Sequence, residues 1–142
     1  MFIDFGLLYK GYVTDNSRSG LVGRGTAEQR RFLETGLEMT AAAVAVSRPG
    51  APQSALDDAA FRVACDAGYR DMYWCRAHGV GTTTFMQPRF APGDQTPLRA
   101  GEVFSLEPML VHHGVGTSCV ENTVLITETG ARVLSRATER WW

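Results

Sequence analysis

The chain has 142 residues, of which 44% are hydrophobic and 20% charged, so a single domain with its own apolar core is expected. Its 14 basic and 15 acidic residues leave a net charge of -1, which removes any global electrostatic case for binding nucleic acid or an anionic membrane. No apolar run approaches a membrane span, and Asp4 interrupts the short N-terminal apolar run, which argues against a signal peptide; a cytoplasmic protein is expected.

The N-terminal region predicts a pair of β-strands. The segments MFIDFG and KGYVTDNSRSG are short aromatic and β-branched runs separated by LLY. Such runs are typical of adjacent strands, so a hairpin is predicted.

Two α-helices are predicted between residues 26 and 68. Thr26 and Gln29 form a capping-box pattern at the start of the first helix, and Ser54 and Asp57 offer the same pattern for the second. Gly68 is a natural residue for the end of the second helix. The apolar faces are predicted from Leu33, Leu37, Ala41 and Val44 in the first helix and from Leu56, Ala60, Val63 and Ala67 in the second.

The C-terminal half is predicted to start with an irregular segment and to end in three strands. Residues 69–101 are rich in Gly, Pro and Thr, which favours loop structure. The segments EVFSLEPML, GTSCVENTVLITE and ARVLSR are predicted strands. This order of elements predicts an α+β fold, with two helices packed on one face of a mostly antiparallel sheet.

Four carboxylates fall in or beside predicted strands: Asp4, Asp15, Glu107 and Glu121. Each of them alone fits a solvent-facing position, but together they would repel one another, and one or more would be protonated at neutral pH. Two divalent cations would turn that repulsion into coordination. His78 stands beside a glycine-bounded turn and is the expected nitrogen ligand. Oxygen ligands with a single imidazole suit manganese, iron, cobalt or zinc in a two-metal hydrolytic site.

These residues stand in motifs that resemble the catalytic domain of the pita-bread metallopeptidases, which include methionine aminopeptidases, aminopeptidase P and the Xaa-Pro dipeptidases. IDFGLLYKGYVTDNSR resembles the first motif of the family, which carries an Asp on one strand and a second Asp eleven residues later, here Asp4 and Asp15. AHGVG resembles its GHGIG motif, FSLEPML its F-x-x-EP motif, and VENTVLITETGARVLS its closing segment. The resemblance implies the C-terminal half of a pita-bread fold.

The resemblance also implies the roles of the residues. Asp4 would bind one divalent ion, His78 and Glu107 the other, and Asp15 and Glu121 would bridge both. His78 and Glu107 are the implied catalytic residues, with Glu107 as the proton shuttle and a metal-bridging water attacking an amide carbonyl. The implied function is that of an Xaa-Pro aminopeptidase or dipeptidase, a dinuclear hydrolase that acts on a peptide or small amide with two ions of Mn, Co, Fe or Zn.

Two positions depart from the family pattern and are expected at the substrate pocket. Phe85 stands where the family usually has a second histidine, and Cys119 stands where the Xaa-Pro branch commonly has arginine. An aromatic side chain cannot donate a hydrogen bond to an oxyanion. These changes favour an alternative, a family member that acts on a non-peptide substrate as amidinohydrolases, ectoine hydrolases or dimethylsulfoniopropionate lyases do. A further alternative is an inactive pita-bread module that binds protein, although such modules typically lose metal ligands.

The resemblance also predicts the domain organisation. The family's catalytic domain consists of two similar α/β halves, and this sequence begins at the strand that carries the first ligand. Residues 1–142 are therefore expected to form a partial catalytic domain without its N-terminal half. Surface that the other half would cover is expected to be exposed, which predicts a homodimer or association with an N-terminal half.

Overall fold

The computed structural model describes residues 1–75 and 77–142 in full and the backbone alone of residue 76. Its two helices are α1 (Ala27–Val46) and α2 (Ser54–Asp66). Four strands precede the helices: β1 (Phe2–Phe5), β2 (Leu8–Tyr9), β3 (Tyr12–Val13) and β4 (Asn16–Ser19). Six strands follow them: β5 (Tyr73–Gly79), β6 (Met86–Arg89), β7 (Val103–His112), β8 (Gly116–Cys119), β9 (Asn122–Ile126) and β10 (Ala131–Val133). The α+β architecture is confirmed.

The strands form one main sheet and two small ones, and their pairings are antiparallel. The main sheet has the order β10-β9-β7-β5-β6, and β8 pairs with the C-terminal part of β7. The predicted N-terminal hairpin is also present, since β1 pairs with β4 and the shorter hairpin of β2 and β3 lies between them.

The core lies between the two helices and one face of the main sheet. Strand β7 buries alternate residues there, because successive side chains of a strand point to opposite faces. Residues at 2% exposure or less supply most of this core: Phe32, Met39, Ala43, Leu56, Ala60, Ala64, Leu98, Phe104, Leu106, Leu110, Val124 and Ile126. The polar side chains on the opposite face of β7 are thereby turned towards the acidic residues predicted above.

Helix α1 begins as predicted, but of its predicted apolar face only Leu33 is fully buried. The Thr26 hydroxyl accepts from the Gln29 N–H at 3.1 Å, and the Thr26 N–H donates to Gln29 Oε1 at 2.9 Å, so the capping box is confirmed. Ala41 is exposed, and the buried residues are Phe32, Leu33, Thr35, Gly36, Met39, Thr40 and Ala43. The prediction missed this face because it contains two threonines and a glycine. A Cβ at Gly36 would lie 2.1 Å from Ser118 Oγ, so the glycine permits close packing of α1 on β8.

The capping box predicted for α2 is wrong. The N-cap residue is Gln53, with no side-chain cap hydrogen bond, and Ser54 is already helical. The Ser54 hydroxyl accepts from Gln95 Nε2 at 3.3 Å, and Asp57 accepts from the Tyr73 hydroxyl at 2.6 Å. Both side chains of the expected box therefore bond to the segment that follows α2 rather than to the helix terminus.

Two further predictions are corrected by the pairing of β7. The segment 69–101 is not irregular throughout, because it contains β5 and β6, and β5 pairs with seven residues of β7. The strand predicted over residues 116–128 is divided into β8 and β9. The break at Val120 and Glu121 lies opposite Glu107 and Pro108, and a proline has no N–H to donate to the ladder. At the break, Val120 instead forms a bridge with Arg18 in β4.

The N-terminal strands and the loop between β1 and β2 expose large apolar side chains. Leu7, Leu8, Tyr9 and Tyr12 are each at least 64% exposed. This surface is of the kind predicted for a partial domain, and its association with another chain stays a prediction. Within the described residues, neither helix has the length and apolar character needed to cross a bilayer.

Candidate metal centre

Three of the predicted ligands meet on the face of the main sheet that is turned away from the helices. One ligand atom from each of Asp15, His78 and Glu121 lies within 4.8 Å of the others, and all three residues are buried. His78 Nε2 is 3.5 Å from Asp15 Oδ2. Two carboxylates and an imidazole at these separations can bind a divalent cation.

His78 is held by its position near the end of β5. It lies opposite Ser105 on one side, and its Nδ1 is 3.2 Å from the Gly79 carbonyl oxygen. With the proton on Nδ1 donated to that carbonyl, the Nε2 lone pair is free for a metal ion. A Cβ at Gly79 would lie 2.2 Å from the Gln87 carbonyl oxygen, so only glycine permits this approach of β6. The prediction of a turn at His78 is corrected to the bulged end of a strand.

Glu121 lies in the break between β8 and β9, where the backbone bonds to β4. Its N–H donates to the Ser17 carbonyl at 3.1 Å, and its carbonyl accepts from Arg18 Nη1. Its carboxylate Oε1 accepts from the Ser105 hydroxyl, which β7 presents. The other oxygen, Oε2, is buried and has no hydrogen-bond partner in the part of the chain that the structure describes. A buried oxygen left without a donor fits a position that a cation fills.

The electrostatics of the cluster follow from burial and from like charges. Burial, together with the nearby carboxylates of Glu107, Asp15 and Asp4, raises the pKa of Glu121 to about 8 against the lowering effect of the Ser105 hydrogen bond. Burial also raises the pKa of Asp15, with Asp4 acting in the same direction and His78 against it. The cluster without a cation therefore favours bound protons, and a divalent cation would reverse this preference.

The other two predicted ligands, Asp4 and Glu107, do not belong to the group of three residues whose ligand atoms lie within 4.8 Å of one another. Asp4 is exposed in β1, where it pairs with Ser17, while Glu107 is only 7% exposed in β7. Both carboxylates act electrostatically on Glu121, so they approach the same cluster. Their roles as ligands stay a prediction.

Arg18 is the residue whose role the sequence analysis did not predict. Its side chain is 1% exposed, and Nη1 donates to the Ser17 carbonyl at 2.7 Å as well as to the Glu121 carbonyl. Nη2 donates to Asn122 Oδ1 at 2.9 Å, and Nε donates to the Thr138 carbonyl at 3.1 Å. Burial lowers the pKa of the guanidinium, but these acceptors and nearby carboxylates favour its charged form. The sequence signal that could have indicated this role is that Arg18 is a single basic residue between serines in a strand.

The two residues predicted at the substrate pocket have different surroundings. Cys119 is 0% exposed, with its sulfur 3.1 Å from Ser17 Oγ, and its place at the substrate pocket stays a prediction. Phe85 is 53% exposed, and its ring centroid lies 4.4 Å from that of His78. Phe85 therefore borders the cluster from the solvent side.

Residues 1–128 match the model of metallopeptidase family M24. The chain belongs to that family. It is 37% identical over 139 residues to the Xaa-Pro dipeptidase of Pyrococcus furiosus, a match that covers 97% of this chain and 40% of the relative.

Solved structures of family M24 members show the same fold. The prolidase from Pyrococcus furiosus superposes with a TM-score of 0.92 at 35% identity, over 97% of this chain and 41% of the other. The prolidase from Pyrococcus horikoshii OT3 gives 0.94 at 32% identity, over 99% and 41%. The fold is therefore the pita-bread fold, and the family implies divalent metal ions. The chain spans about 40% of the length of the P. furiosus dipeptidase.

Proposed function

We propose that this chain carries the metal centre of a dinuclear hydrolase of the Xaa-Pro dipeptidase type. The observation that carries the proposal is the carboxylate of Glu121. Its Oε2 is buried without a hydrogen-bond donor among the described residues, and one of its oxygens lies within 4.8 Å of ligand atoms of Asp15 and His78. The similarity of the chain to Xaa-Pro dipeptidases over nearly its whole length supports the peptidase assignment.

In the proposed site, Asp15 and Glu121 would help to hold both of two ions, Asp4 would hold one of them, and His78 and Glu107 would hold the other. When bound, manganese, cobalt, iron or zinc ions would supply an activated water for attack on the amide carbonyl. Glu107 is the proposed proton shuttle to the leaving amine, and its low exposure keeps that proton from bulk water. His78 presents Nε2 because the Gly79 carbonyl fixes the proton on Nδ1.

Metal analysis tests the proposed centre directly. The purified chain, loaded with manganese or cobalt and then desalted, is expected to retain up to two ions. Glu121→Gln and His78→Ala are expected to reduce that content, whereas His113→Ala, in an exposed turn, is the matched control and is expected to leave it unchanged. Wild-type protein that stays metal-free after loading would contradict the proposal.

Hydrolysis of alanyl-proline by the metal-loaded protein tests the reaction. Phe85→His is expected to increase kcat by up to about 100-fold, because it restores a side chain that can donate to an oxyanion. A second candidate, a non-peptide amide substrate, is favoured by the present position of Phe85 beside His78, where no such donor stands. A metal-loaded wild type and Phe85→His variant that both fail to cleave the dipeptide would favour this second candidate.

We expect the exposed N-terminal strands to associate with a second copy or with an N-terminal half. A cytoplasmic location is a separate part of the proposal. Light scattering that shows a stable monomer at micromolar concentration would contradict the dimer.

A further inference from the structure

The segment that follows β10, residues 134–142, contacts both β9 and β4. We call this segment the tail. At its start, the Leu134 N–H donates to the Thr123 carbonyl in β9 at 2.8 Å. Near its end, the Trp141 carbonyl accepts from the N–H of Leu21, just beyond β4, at 3.0 Å. The tail therefore joins β4 to β9 next to the break between β8 and β9.

Between these two contacts, the tail holds two neighbours of Glu121. The Thr138 carbonyl accepts from Arg18 Nε at 3.1 Å, and Glu139 Oε1 accepts from Asn122 Nδ2 at 2.9 Å. Asn122 Oδ1 in turn accepts from Arg18 Nη2 at 2.9 Å. Arg18 Nη1 donates to the Glu121 carbonyl. These hydrogen bonds form a continuous path from the Glu139 carboxylate to the backbone of Glu121.

The buried guanidinium of Arg18 needs a negative counter-charge. Arg18 is 1% exposed, and the hydrogen-bond acceptors that the structure gives it are neutral carbonyl and amide oxygens. A buried charge is costly unless a charge of opposite sign lies nearby. The carboxylates that act electrostatically on Arg18 are those of Glu139 and Glu121. In the proposed site, bound cations would share the charge of Glu121, so Glu139 is the counter-charge that stays with Arg18.

We propose that Glu139 is a positioning residue for Glu121 and acts through this path of hydrogen bonds. A carboxylate is directed at a cation only where its backbone is held, and the partners that orient a metal ligand are worth about 10- to 100-fold in metal affinity. Glu139 lies beyond residues 1–128, the part of the chain that matches the family model. The inference rests on the proposed function, since Glu121 needs this orientation only if the cluster binds ions.

Manganese titration of Glu139 variants tests the path. Glu139→Ala removes both the charge and the acceptor for the Asn122 amide, so manganese affinity is expected to fall by about 10-fold or more. Glu139→Gln keeps an oxygen that can accept from Asn122 and loses only the charge, so a smaller fall of about threefold is expected. Arg140→Gln is the matched control, because Arg140 is the next residue of the tail and pairs with Glu34 on the surface. Its affinity is expected to stay within about twofold of wild type.

Two further measurements distinguish positioning from a general loss of stability. The visible absorption of protein saturated with cobalt reports the geometry of the ligands, and Glu139→Ala is expected to change that spectrum. Hydrogen exchange of the metal-free protein reports how firmly the break is held. The amides of residues 116–126 are expected to exchange about threefold or more faster in Glu139→Ala, while those of α1 keep their wild-type rates. A general loss of stability would raise the rates in both regions.

The outcomes separate this inference from the proposed function. Wild-type protein that retains no manganese or cobalt contradicts the proposed function, and hydrogen exchange of the metal-free protein then decides the inference. Faster exchange in Glu139→Ala that is confined to residues 116–126 supports it, whereas unchanged exchange there, or an equal rise in α1, overturns it. Where wild type binds manganese, the inference is also overturned by any of three results. These are a Glu139→Ala affinity within about twofold of wild type, an unchanged cobalt spectrum, and an equal loss of affinity in Arg140→Gln.

Discussion

Replacing Glu121 with glutamine is expected to stabilise the metal-free protein at alkaline pH. Glutamine has nearly the shape of the protonated acid, and like it is uncharged. The carboxyl group of Glu121 is 1% exposed and faces other carboxylates, so its ionised form is disfavoured in the folded state. A neutral side chain of the same size removes that cost.

The magnitude follows from the two pKa values of this group. The ordinary value of 4.5 applies to the unfolded chain, and burial raises the folded value to about 8. Between these values the folded state keeps a proton that the unfolded state has lost. The stability that this proton contributes is therefore complete below pH 4.5 and declines as the pH rises to about 8. At about 1.4 kcal/mol per pH unit, the decline is at most about 5 kcal/mol.

Urea denaturation with a chelator present measures this effect at pH 5 and at pH 8.5. Wild type is expected to lose stability between the two values, while Glu121→Gln is expected to change much less. Glu128→Gln makes the same chemical change at an exposed turn and is expected to follow wild type. Adding manganese at pH 8.5 is expected to stabilise wild type more than Glu121→Gln. A Glu121→Gln variant whose stability falls with pH as steeply as that of wild type would refute the reasoning.

Three further predictions concern the residues around the cluster and the ends of the helices. Ser105→Ala removes the hydroxyl that donates to the carboxylate of Glu121, a proposed ligand, so manganese affinity is expected to fall by about 10-fold or more in a metal titration. Arg18→Met leaves several buried carbonyls without their donor, and a loss of about 3–5 kcal/mol is expected in urea denaturation. Thr26→Ala is expected to cost about 1 kcal/mol through the lost cap, whereas Ser54→Ala, at a position without one, is expected to cost clearly less in the same assay. Equal losses of stability in Thr26→Ala and Ser54→Ala would contradict the assignment of the N-cap residues of the two helices.

The convergence of the acidic residues could be anticipated because a carboxylate in an apolar strand breaks the expected pattern. Asp15, His78 and Glu121 come from three distant parts of the sequence, and the structure brings their ligand atoms within 4.8 Å. Local patterns contain no such distances, and it was the resemblance of the motifs to a known family that supplied the arrangement. The roles of all five residues as ligands stay predictions, and those of Asp4 and Glu107 rest on that resemblance.

The features that the sequence did not predict depend on tertiary contacts. The residues of β5 include a charged residue, an alanine and a glycine, and they form a strand because they pair with the central strand β7. The Ser54 hydroxyl bonds to a distant segment, so a correct local capping pattern did not produce a cap. Arg18 gains its role from carbonyls more than 100 residues away, such as those of Glu121 and Thr138.

The three clustered residues, which are the proposed ligands, lie where regular pairing ends, and this placement explains how the sheet accommodates them. Asp15 immediately precedes β4, His78 adjoins a bulge, and Glu121 lies in the break opposite Pro108. A residue inside an unbroken ladder has its backbone groups committed to neighbouring strands and its side chain fixed by the pleat. At the break, the backbone of Glu121 bonds to β4 and to Arg18 instead, which turns the carboxylate towards Asp15 and His78. The paired strands on both sides of each interruption thus keep the site rigid. The interruptions allow the side chains to point towards one another, as a metal site requires.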